Sequence, residues 1–293
     1  MFKLSIITLN YNTKELTSNC IKAIDKNYKK ELDENIFEII VVDNNSKDES
    51  AAEISKLKTQ IPNLTLIESK ENLGFGNGNN LGVEKAKGKY ILFLNSDTKV
   101  EDTGFNKMIE FIEKNPSVGI LGGRLKNTDG SRQSSAGSSY NLWNVVFLLL
   151  GFERFGFLRE SPGEIKKVAW VSGACMMIKK DVFDDLGGFE KELFMYMEDV
   201  DICFRAKQKG FETYFFPDIN LMHQERGSSS RTFAILNIYK GLLFFFKKHK
   251  SFSEYFLVKN LLMLKAYFLK YIGKFTGNEY LYKTYGEALK IFN

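Results

Sequence analysis

Four apolar runs of strand length recur at a nearly constant interval in the first hundred residues. They are LSIITL at 4–9, FEIIVV at 37–42, LTLI at 64–67 and YILFL at 90–94, and their starts are 33, 27 and 26 residues apart. This interval is typical of successive βαβ units, in which a helix returns the chain to the beginning of a parallel neighbour. Because the runs are apolar nearly throughout, we expect both faces of the strands to be covered. The pattern predicts an α/β fold with a parallel sheet flanked by helices.

A polar cluster follows each of these runs. The clusters are NYN at 10–12, DNNS at 43–46, NLGFGNGNN at 72–80 and NSD at 95–97. Ligands of open α/β sheets bind outside the carboxyl ends of the strands, where such clusters meet. Turn formation alone favours the same small polar residues, so it would explain any one of them. The four together predict a ligand pocket, with Asp97 at its rim.

Glycines 74, 76 and 78 match neither the GxGxxG fingerprint nor a P-loop. Glycine permits a tight turn or a close approach by a ligand, and these three carry no stronger signal. The sequence therefore indicates a nucleotide pocket without either of the common phosphate-binding loops.

A second group of acids lies in MEDVDICFRAKQKG at 197–210, which predicts a helix stopped by Gly210 at the position past its C-terminus. Asp201 and Arg205 are four residues apart in it and can form a pair. Glu198 and Asp199 fall in the first turn, where the helix dipole and free N–H groups favour acids in any protein. The alternative is that this placement holds an ionised carboxylate ready to accept a proton.

The chain has two histidines. His249 lies in a lysine-rich tail, and we interpret it as structural. His223 follows the strand-like TYFFPDINLM and precedes a small polar segment. A lone histidine is more often structural than a ligand, but an imidazole there could bind a divalent cation together with Asp97.

Basic and aromatic residues are concentrated in the last 68 residues. Residues 226–293 contain 12 Lys and Arg against three Glu, and 16 of the 41 aromatic residues, whereas residues 1–225 contain 29 basic and 33 acidic residues. We therefore divide the chain into a body, residues 1–225, and a basic, aromatic helical extension, residues 226–293. The charge matches no recognised nucleic-acid-binding module, so we expect no nucleic-acid partner.

Apolar residues in the extension follow helical spacing, with lysines between them. They are Leu257, Leu261, Leu264, Phe268 and Ile272. This stripe would pack on the body or on a second subunit of a homo-oligomer. Alternatively, the extension would contact an anionic membrane surface through residues 232–275.

Cysteine usage and hydropathy predict the cellular compartment of the protein. Cys20, Cys175 and Cys203 form no CxxC pair, which argues against a zinc or disulfide framework and suits a reducing environment. The first apolar run is only of strand length, and no apolar run reaches 18 residues, so we expect neither a signal peptide nor a spanning helix. The expected location is the cytoplasm, peripheral on the inner face of the cell membrane.

Several longer segments are similar to glycosyltransferase family 2, and more narrowly to bacterial rhamnosyltransferase-type enzymes that build surface polysaccharides. They are LSIITLNYN, IIVVDNNSKDES, NLGFGNGNNLGVEKAKGKYILFLNSDT, WVSGACMMIKKDVFDDLGGFEKELFMYMEDVDICFRAKQKGF and HQERGSSS. The resemblance implies a GT-A fold around one mixed, mainly parallel sheet, with a nucleotide-binding half at 1–99 and an acceptor half at 100–225. It also implies inverting transfer of a sugar from a nucleotide-diphosphate donor.

The resemblance further implies site residues. The donor would be bound by Thr8, Asn10, Tyr11, Asp43, Asn44, Ser46, Gly74, Phe75, Gly76, Asn79, Asn95 and Ser96. The candidates for the acceptor side are Trp170, Ser172, Gly173 and Glu198, with core packing as the alternative for Trp170. Asp199 matches the catalytic base, and Asp97 and His223 match ligands of a divalent cation, Mg²⁺ or Mn²⁺. Asn95 replaces the first aspartate of the family's metal motif, and its neutral amide should lower the affinity for a cation.

We therefore expect an inverting glycosyltransferase with a saccharide or polyprenyl-diphosphate-linked acceptor, and rhamnose from a thymidine-diphosphate donor as the first prediction. A UDP-sugar of galactofuranose, glucose, galactose or N-acetylhexosamine is the alternative. A nucleotidyltransferase would be expected to carry a Gly-rich, basic phosphate loop near the first strand, which TLNYNTKEL lacks. A non-catalytic nucleotide-sugar-binding scaffold would be expected to lose Asp97 or Asp199, and both are present.

Overall fold

The structure is a computed structural model that describes residues 2–149, 158–224 and 230–292. Its strands are β1 (Leu4–Asn10), β2 (Phe37–Asp43), β3 (Leu64–Glu68), β4 (Tyr90–Leu94), β5 (Thr98–Val100), β6 (Val118–Lys126), β7 (Arg132–Gln133), β8 (Ala136–Gly137), β9 (Arg159–Glu160), β10 (Lys166–Val168), β11 (Trp170–Val171), β12 (Cys175–Lys179) and β13 (Glu212–His223). Its helices are α1 (Lys14–Asn27), α2 (Lys29–Asp33), α3 (Ser50–Lys58), α4 (Gly74–Val83), α5 (Gly104–Lys114), α6 (Leu142–Leu149), α7 (Lys180–Asp185), α8 (Glu198–Gln208), α9 (Arg231–His249), α10 (Phe252–Thr276) and α11 (Glu279–Leu289). The proposed boundary between residues 225 and 226 lies outside the described residues.

The four predicted strands are confirmed as neighbours in one large sheet. Its order is β10-β13-β6-β12-β4-β1-β2-β3, with β5 on β13 and β7 on β6. β1 is parallel to both β2 and β4, and β3 is parallel to β2. In this register Asn10 lies beside Asp43. The polar clusters after β1 and β2 therefore meet at one edge of the sheet.

The other half of the sheet is mixed. β12 runs antiparallel to β4, so that Cys175, its first residue, pairs with Leu94, the last residue of β4. The segment that precedes β12 is thereby brought to the residues that follow β4. The end of β13 returns to the same place, because His223 pairs with Thr98 of β5.

Both faces of the sheet are covered, as the apolar strands predict. Ile6 and Ile39 belong to a core on the side of α1, α2, α3 and α5, whereas Ile7 and Ile40 belong to a second core on the opposite face. The alternation follows from the period of two residues in a strand. The second core also contains Phe245 from the extension.

The glycine-rich segment forms helix α4 rather than a loop. Its glycines allow the helix to lie close to the sheet: a Cβ atom on Gly78 would be 2.4 Å from Leu9, and one on Gly82 would be 2.7 Å from Ile7. At these two positions glycine therefore permits close packing of α4 on β1, not the close approach of a ligand.

The extension packs on the body through α9 and one face of α10. Leu242, Phe245 and Phe246 of α9 are buried in the second core. Of the alternatives for the predicted apolar stripe, packing on the body is wrong for most of its residues. The buried positions are Val258, Leu262, Ala266 and Gly273, whereas Leu257, Leu264 and Phe268 of the predicted stripe are exposed.

No helix in the described ranges is long and apolar enough to cross a membrane.

Candidate active site

The clusters that follow β1 and β2 are joined by hydrogen bonds. The Asn10 amide donates to Asp43 Oδ1 (2.5 Å) and to Ser46 Oγ (2.8 Å). Its oxygen accepts hydrogen bonds from Thr13 (2.9 Å) and Thr17 (2.5 Å). Asn10 is fully buried, so its side chain has a structural role and does not reach a ligand. It orients the Asp43 carboxylate, whose second oxygen accepts from the Ser46 backbone N–H (3.0 Å).

Asn44 supports the start of α4. Its amide donates to Asn72 Oδ1 (2.9 Å) and to the Gly74 carbonyl (3.1 Å), and its oxygen accepts from the Leu73 N–H (3.1 Å). The next residue, Phe75, donates its backbone N–H to the Phe194 carbonyl (2.7 Å). The beginning of α4 is therefore fixed on both sides.

The remaining predicted donor residues divide into buried and accessible side chains. Thr8 and Asn79 are buried, and the Asn79 amide donates to the Phe75 carbonyl (3.0 Å). Tyr11 is exposed. Ser96 is partly exposed, and its hydroxyl lies 3.2 Å from that of Thr13.

Asp97 and His223 lie together, although 126 residues separate them in the chain. His223 Nε2 is 3.1 Å from Asp97 Oδ1 and 3.1 Å from the amide nitrogen of Asn95. Both side chains remain partly accessible, with exposed fractions of 11% for His223 and 14% for Asp97. The backbone N–H of Gln224 donates to the Asp97 carbonyl (3.0 Å) and holds the two segments side by side.

The donor set of this pair fits a divalent cation. A carboxylate oxygen and an unprotonated imidazole nitrogen are both ligands that a divalent cation accepts in proteins. Two ligand atoms at right angles, each about 2.1 Å from one cation, would be about 3 Å apart. Among the described residues, no cluster of three or more His, Cys, Asp and Glu surrounds a metal position. Further ligands would therefore come from Asn95, water or the phosphates of a substrate, as is usual for Mg²⁺.

The acidic pair at the start of α8 follows a strained turn. Tyr196 and Met197 have φ angles of 69° and 72°, a left-handed conformation that is costly for residues other than glycine. Gly241 of α9 packs directly against this turn, since a Cβ atom there would be 2.7 Å from Met197 Cγ. The extension therefore supports the turn that presents Glu198 and Asp199.

The two acids have different surroundings. Burial raises the pKa of Asp199, while N–H donors from Val200 (2.8 Å) and Gly173 (3.3 Å) and the charge of Arg159 oppose that rise. Burial and the neighbouring Asp199 charge raise the pKa of Glu198 well above its ordinary value. Within the described part of the chain, Glu198 Oε2 has no hydrogen-bond partner. The pKa values of both carboxyl groups are therefore raised, and Glu198 lacks the opposing N–H donors from Val200 and Gly173 that act on Asp199.

One short segment joins the acids to the Asp97–His223 pair. The Gly173 N–H donates to Asp199, and the next carbonyl, that of Ala174, accepts from the Asn95 N–H (3.1 Å). Gly173 lets the Phe75 ring lie close to this segment, because a Cβ atom there would be 2.9 Å from the ring. Residues from both halves of the body thus meet within one region.

The other predicted acceptor residues flank this segment. Trp170 is buried, and its indole N–H donates to the Ser138 carbonyl (3.1 Å), which fits the core-packing alternative. The Ser172 hydroxyl accepts from the Ala174 N–H (3.3 Å).

Three residues near the site have no signal in the sequence. Gln133 Oε1 lies 2.8 Å from His223 Nδ1, Arg159 contributes charge near Asp199, and Gly241 supports the turn before α8. Each lies in a segment without a motif, and only the fold brings it to the site.

The chain is similar to glycosyltransferases of known sequence. It is 24% identical over 243 residues to the low-salt glycan biosynthesis hexosyltransferase Agl10 of Haloferax volcanii, covering 80% of this chain and 72% of the relative. It is 25% identical over 213 residues to the N-acetylglucosaminyl-diphospho-decaprenol L-rhamnosyltransferase of Mycobacterium tuberculosis, covering 66% of this chain and 68% of the relative.

The fold is also similar to solved structures of GT-A glycosyltransferases. The mannosyltransferase PcManGT from Pyrobaculum calidifontis, solved with GDP-Man and Mn²⁺, superposes with a TM-score of 0.57 at 15% identity, over 99% of this chain and 74% of that one. This likeness confirms the predicted fold. The family model of glycosyl transferase family 2 matches residues 5–187, more than half of the chain. The protein therefore belongs to glycosyltransferase family 2 and is a glycosyltransferase with the GT-A fold.

Proposed function

We propose that the protein transfers a sugar, rhamnose in the first instance, from a nucleotide-diphosphate donor with inversion at the anomeric carbon. The observation that carries this proposal is the placement of Asp199. The Gly173 N–H holds it at the start of α8, beside Glu198, whose pKa is raised by burial and by the Asp199 charge. Through Ala174, the same segment reaches Asn95, next to Asp97 and His223.

In the proposed reaction, Asp199 accepts the proton of the acceptor hydroxyl. The hydroxyl oxygen forms a bond to C1 of the donor sugar as the bond from C1 to the diphosphate oxygen breaks on the opposite face. The bonding pair leaves with the nucleoside diphosphate. One displacement inverts C1 and needs no nucleophilic side chain. A divalent cation held by Asp97 and His223 would offset the charge that grows on the leaving diphosphate.

The donor site is proposed at the edge formed by the clusters after β1, β2 and β4. Tyr11, Asp43 and Ser46 would contact the nucleoside, with Asn10 and Thr8 beneath them. Phe75 and Gly76 at the start of α4, supported by Asn44 and Asn79, would border the sugar.

Asn95 and Ser96 would border the diphosphate. Ser172 and Gly173 would then lie towards the acceptor.

The relatives support the proposed sugar and acceptor class. The M. tuberculosis relative is named as an L-rhamnosyltransferase that acts on a decaprenol-linked diphosphate sugar. We propose the same class here: rhamnose from a thymidine-diphosphate donor and a polyprenyl-diphosphate-linked or saccharide acceptor. The H. volcanii relative is named only as a hexosyltransferase, so UDP-sugars are the alternative donors.

The first experiment measures nucleotide release from thymidine-, uridine- and guanosine-diphosphate sugars, with and without Mg²⁺ or Mn²⁺. Asp199→Asn should lower turnover by about 10²- to 10⁴-fold and leave donor binding intact. Asp184→Asn is the matched control, because Asp184 lies on the exposed surface of α7 and pairs with Lys180. Substantial turnover in Asp199→Asn would remove Asp199 as the base.

We also propose that the outer face of α10 binds the anionic cytoplasmic surface of a membrane. This face carries Leu264, Phe268 and Phe275, whose exposed fractions are 60%, 65% and 86%. At 100° per residue, Lys265 flanks it on one side and Lys274 on the other. Residues 232–275 contain eight lysines and a single acid, Glu254. Exposed aromatic residues edged by lysine suit an anionic lipid interface.

Co-sedimentation with vesicles tests this surface. The protein should bind vesicles that contain anionic lipid more strongly than neutral vesicles, and Phe268→Glu should weaken the binding. The matched control is Ile165→Glu, which changes an exposed apolar residue of the body. Equal binding by Phe268→Glu and the unmodified protein would contradict the proposal. A dimer that Phe268→Glu dissociates would instead assign the face to a second copy of the chain.

A further inference from the structure

Gln133 contacts the nitrogen of His223 that points away from Asp97. Its Oε1 atom lies 2.8 Å from His223 Nδ1. Gln133 belongs to β7, which pairs with the end of β6, and it is buried. Because an amide can present either its oxygen or its nitrogen, the effect on the imidazole depends on what fixes the amide.

The orientation of Gln133 is fixed by hydrogen bonds that end at a carboxylate. The Ser131 hydroxyl donates to Asp129 Oδ1 (2.6 Å), so its oxygen accepts from the Asn127 amide (2.9 Å). Asn127 Oδ1 then accepts from the Gln133 amide (3.0 Å), and Gln133 Oε1 is left to face His223. An ionised carboxylate only accepts, so it sets the direction of every bond in the series.

Asp129 is suited to this role. Hydrogen bonds from the Ser131 hydroxyl and backbone N–H lower the pKa of its carboxyl group. The turn itself is closed by the backbone, since the Asn127 N–H donates to the Ser131 carbonyl (2.8 Å). The segment 127–133 thus forms a compact hairpin with one polar side chain directed at His223.

We infer that Gln133 is a positioning residue, which holds neutral His223 in the tautomer with hydrogen on Nδ1 and directs the Nε2 lone pair towards Asp97. Asn95 agrees with this assignment, because its amide nitrogen lies 3.1 Å from Nε2, and an amide nitrogen can donate only to an Nε2 that carries no hydrogen. The role of the lone pair in cation binding rests on the proposed function, whereas the tautomer itself does not.

The opposite tautomer is disfavoured by two contacts. It would direct the lone pair of Nδ1 at the oxygen of Gln133 and the hydrogen of Nε2 at the amide of Asn95. It gains a hydrogen bond from Nε2 to Asp97, which also relieves the contact between the Nε2 lone pair and that carboxylate. However, it loses the hydrogen bonds to both Gln133 and Asn95. Rotating the Gln133 amide to relieve the first contact would break its bond to Asn127. A metal-binding histidine is commonly held in this way by a partner on its other nitrogen.

The test is the tautomer of His223 in the metal-free protein, read from imidazole ¹⁵N shifts, which distinguish the two neutral tautomers from each other and from the doubly protonated ring. The chain has only two histidines, and His223→Gln identifies the signal that belongs to His223. The unmodified protein should show hydrogen on Nδ1. Gln133→Glu keeps an acceptor and should preserve this state, whereas Gln133→Met keeps the approximate size without the acceptor and should shift the population towards hydrogen on Nε2.

Hydrogen on Nε2 in the unmodified protein, or an unchanged tautomer in Gln133→Met, would overturn the inference. If Gln133→Met does not fold, Asn127→Ala takes its place, because it frees the Gln133 amide to rotate and should also produce a mixture. Mn²⁺ titration supplies a second readout: Gln133→Met should bind about 10- to 100-fold more weakly, as for other residues that orient a metal ligand. An inactive protein with the expected tautomer would contradict the proposed function and leave this inference standing.

Discussion

The two histidines of the chain each contact an aspartate, but the two pairs differ in burial and in the other groups that contact them. At the junction of α8 and α9, His249 Nε2 lies 2.6 Å from Asp201 Oδ1. The other oxygen of Asp201 accepts from Arg205 Nε (2.6 Å), which confirms the predicted pair. Asp201 is completely buried, and the His249 ring packs against Phe204 and Phe245.

The His223–Asp97 pair is longer and more open. Its atoms are 3.1 Å apart and both side chains are partly exposed. In the His249–Asp201 pair, both oxygens of the aspartate have protein partners. This pair attaches the extension to α8, the helix that carries Asp199. The site pair has its outer side held by Gln133 and its inner side available to a ligand. We therefore expect the His249–Asp201 pair, whose carboxylate is fully engaged by protein, to stabilise the fold, and the His223–Asp97 pair, held from one side, to bind a ligand.

The largest effect is expected at the junction. Asp201→Ala leaves Arg205 and His249 without their buried partner and should lower the free energy of unfolding by about 3–5 kcal/mol. Urea denaturation measures this change. Asp185→Ala is the control, since Asp185 pairs with Lys209 at the surface and should lose less than about 1 kcal/mol. Similar losses in both variants would mean that the buried Asp201 interactions contribute no more stability than the surface pair of Asp185.

The pH dependence sharpens this prediction. Burial acts to raise the pKa of Asp201, but His249 and Arg205 outweigh it and hold the pKa below its ordinary value of 3.8. A depressed pKa gives stability that is fully present above the ordinary value and is lost as the pH falls through the folded-state pKa. The unmodified protein should therefore lose more stability than Asp201→Ala when the pH falls below about 4.

The second effect concerns activity at the site pair. Asp97→Asn should lower kcat/KM by about 10²-fold, because charge stabilisation of the leaving group is lost. Its free energy of unfolding should change by less than about 1 kcal/mol. Steady-state kinetics and urea denaturation of the same preparation test both statements. A stability loss as large as that of Asp201→Ala would place Asp97 in the fold rather than in the site.

The third effect compares the histidines directly. His249→Gln removes a hydrogen bond to a buried carboxylate and should destabilise the protein by about 1.5–3 kcal/mol. His223→Gln should alter stability by less than about 1 kcal/mol while weakening Mn²⁺ binding. Thermal unfolding and Mn²⁺ titration of the two variants should give opposite rankings. Identical rankings would mean that the two pairs do not divide into one that stabilises the fold and one that binds the cation.

The smallest effect is expected at Glu198, which shares α8 with Asp201 but lacks a partner for Oε2 in the described structure. Its folded-state pKa lies above its ordinary value of 4.5, so the stability that Glu198 contributes falls as the pH rises above about 4.5. Glu198→Gln has no proton to lose. Its Tm relative to the unmodified protein should therefore increase with pH, and a constant difference would contradict the raised pKa.

The sequence predicted the features that depend on near neighbours in the chain. The four parallel strands, the polar clusters at their ends, helix α8 and its Asp201–Arg205 pair follow from runs, alternation and spacing. The same patterns could not identify the buried face of α10. Both of its faces are apolar, and packing against α6, α9 and α11 selects Val258 and Leu262 for the interior.

Contacts between distant segments were decided by tertiary structure alone. The antiparallel return of β12 brings Gly173 to Asp199 and Asn95, and the return of β13 brings His223 to Asp97 and Gln133. Local sequence determines which residues can form a strand, a turn or a helix, because those preferences are set by covalent neighbours and burial period. It does not determine which ends meet, because that choice is made by the packing of the whole sheet.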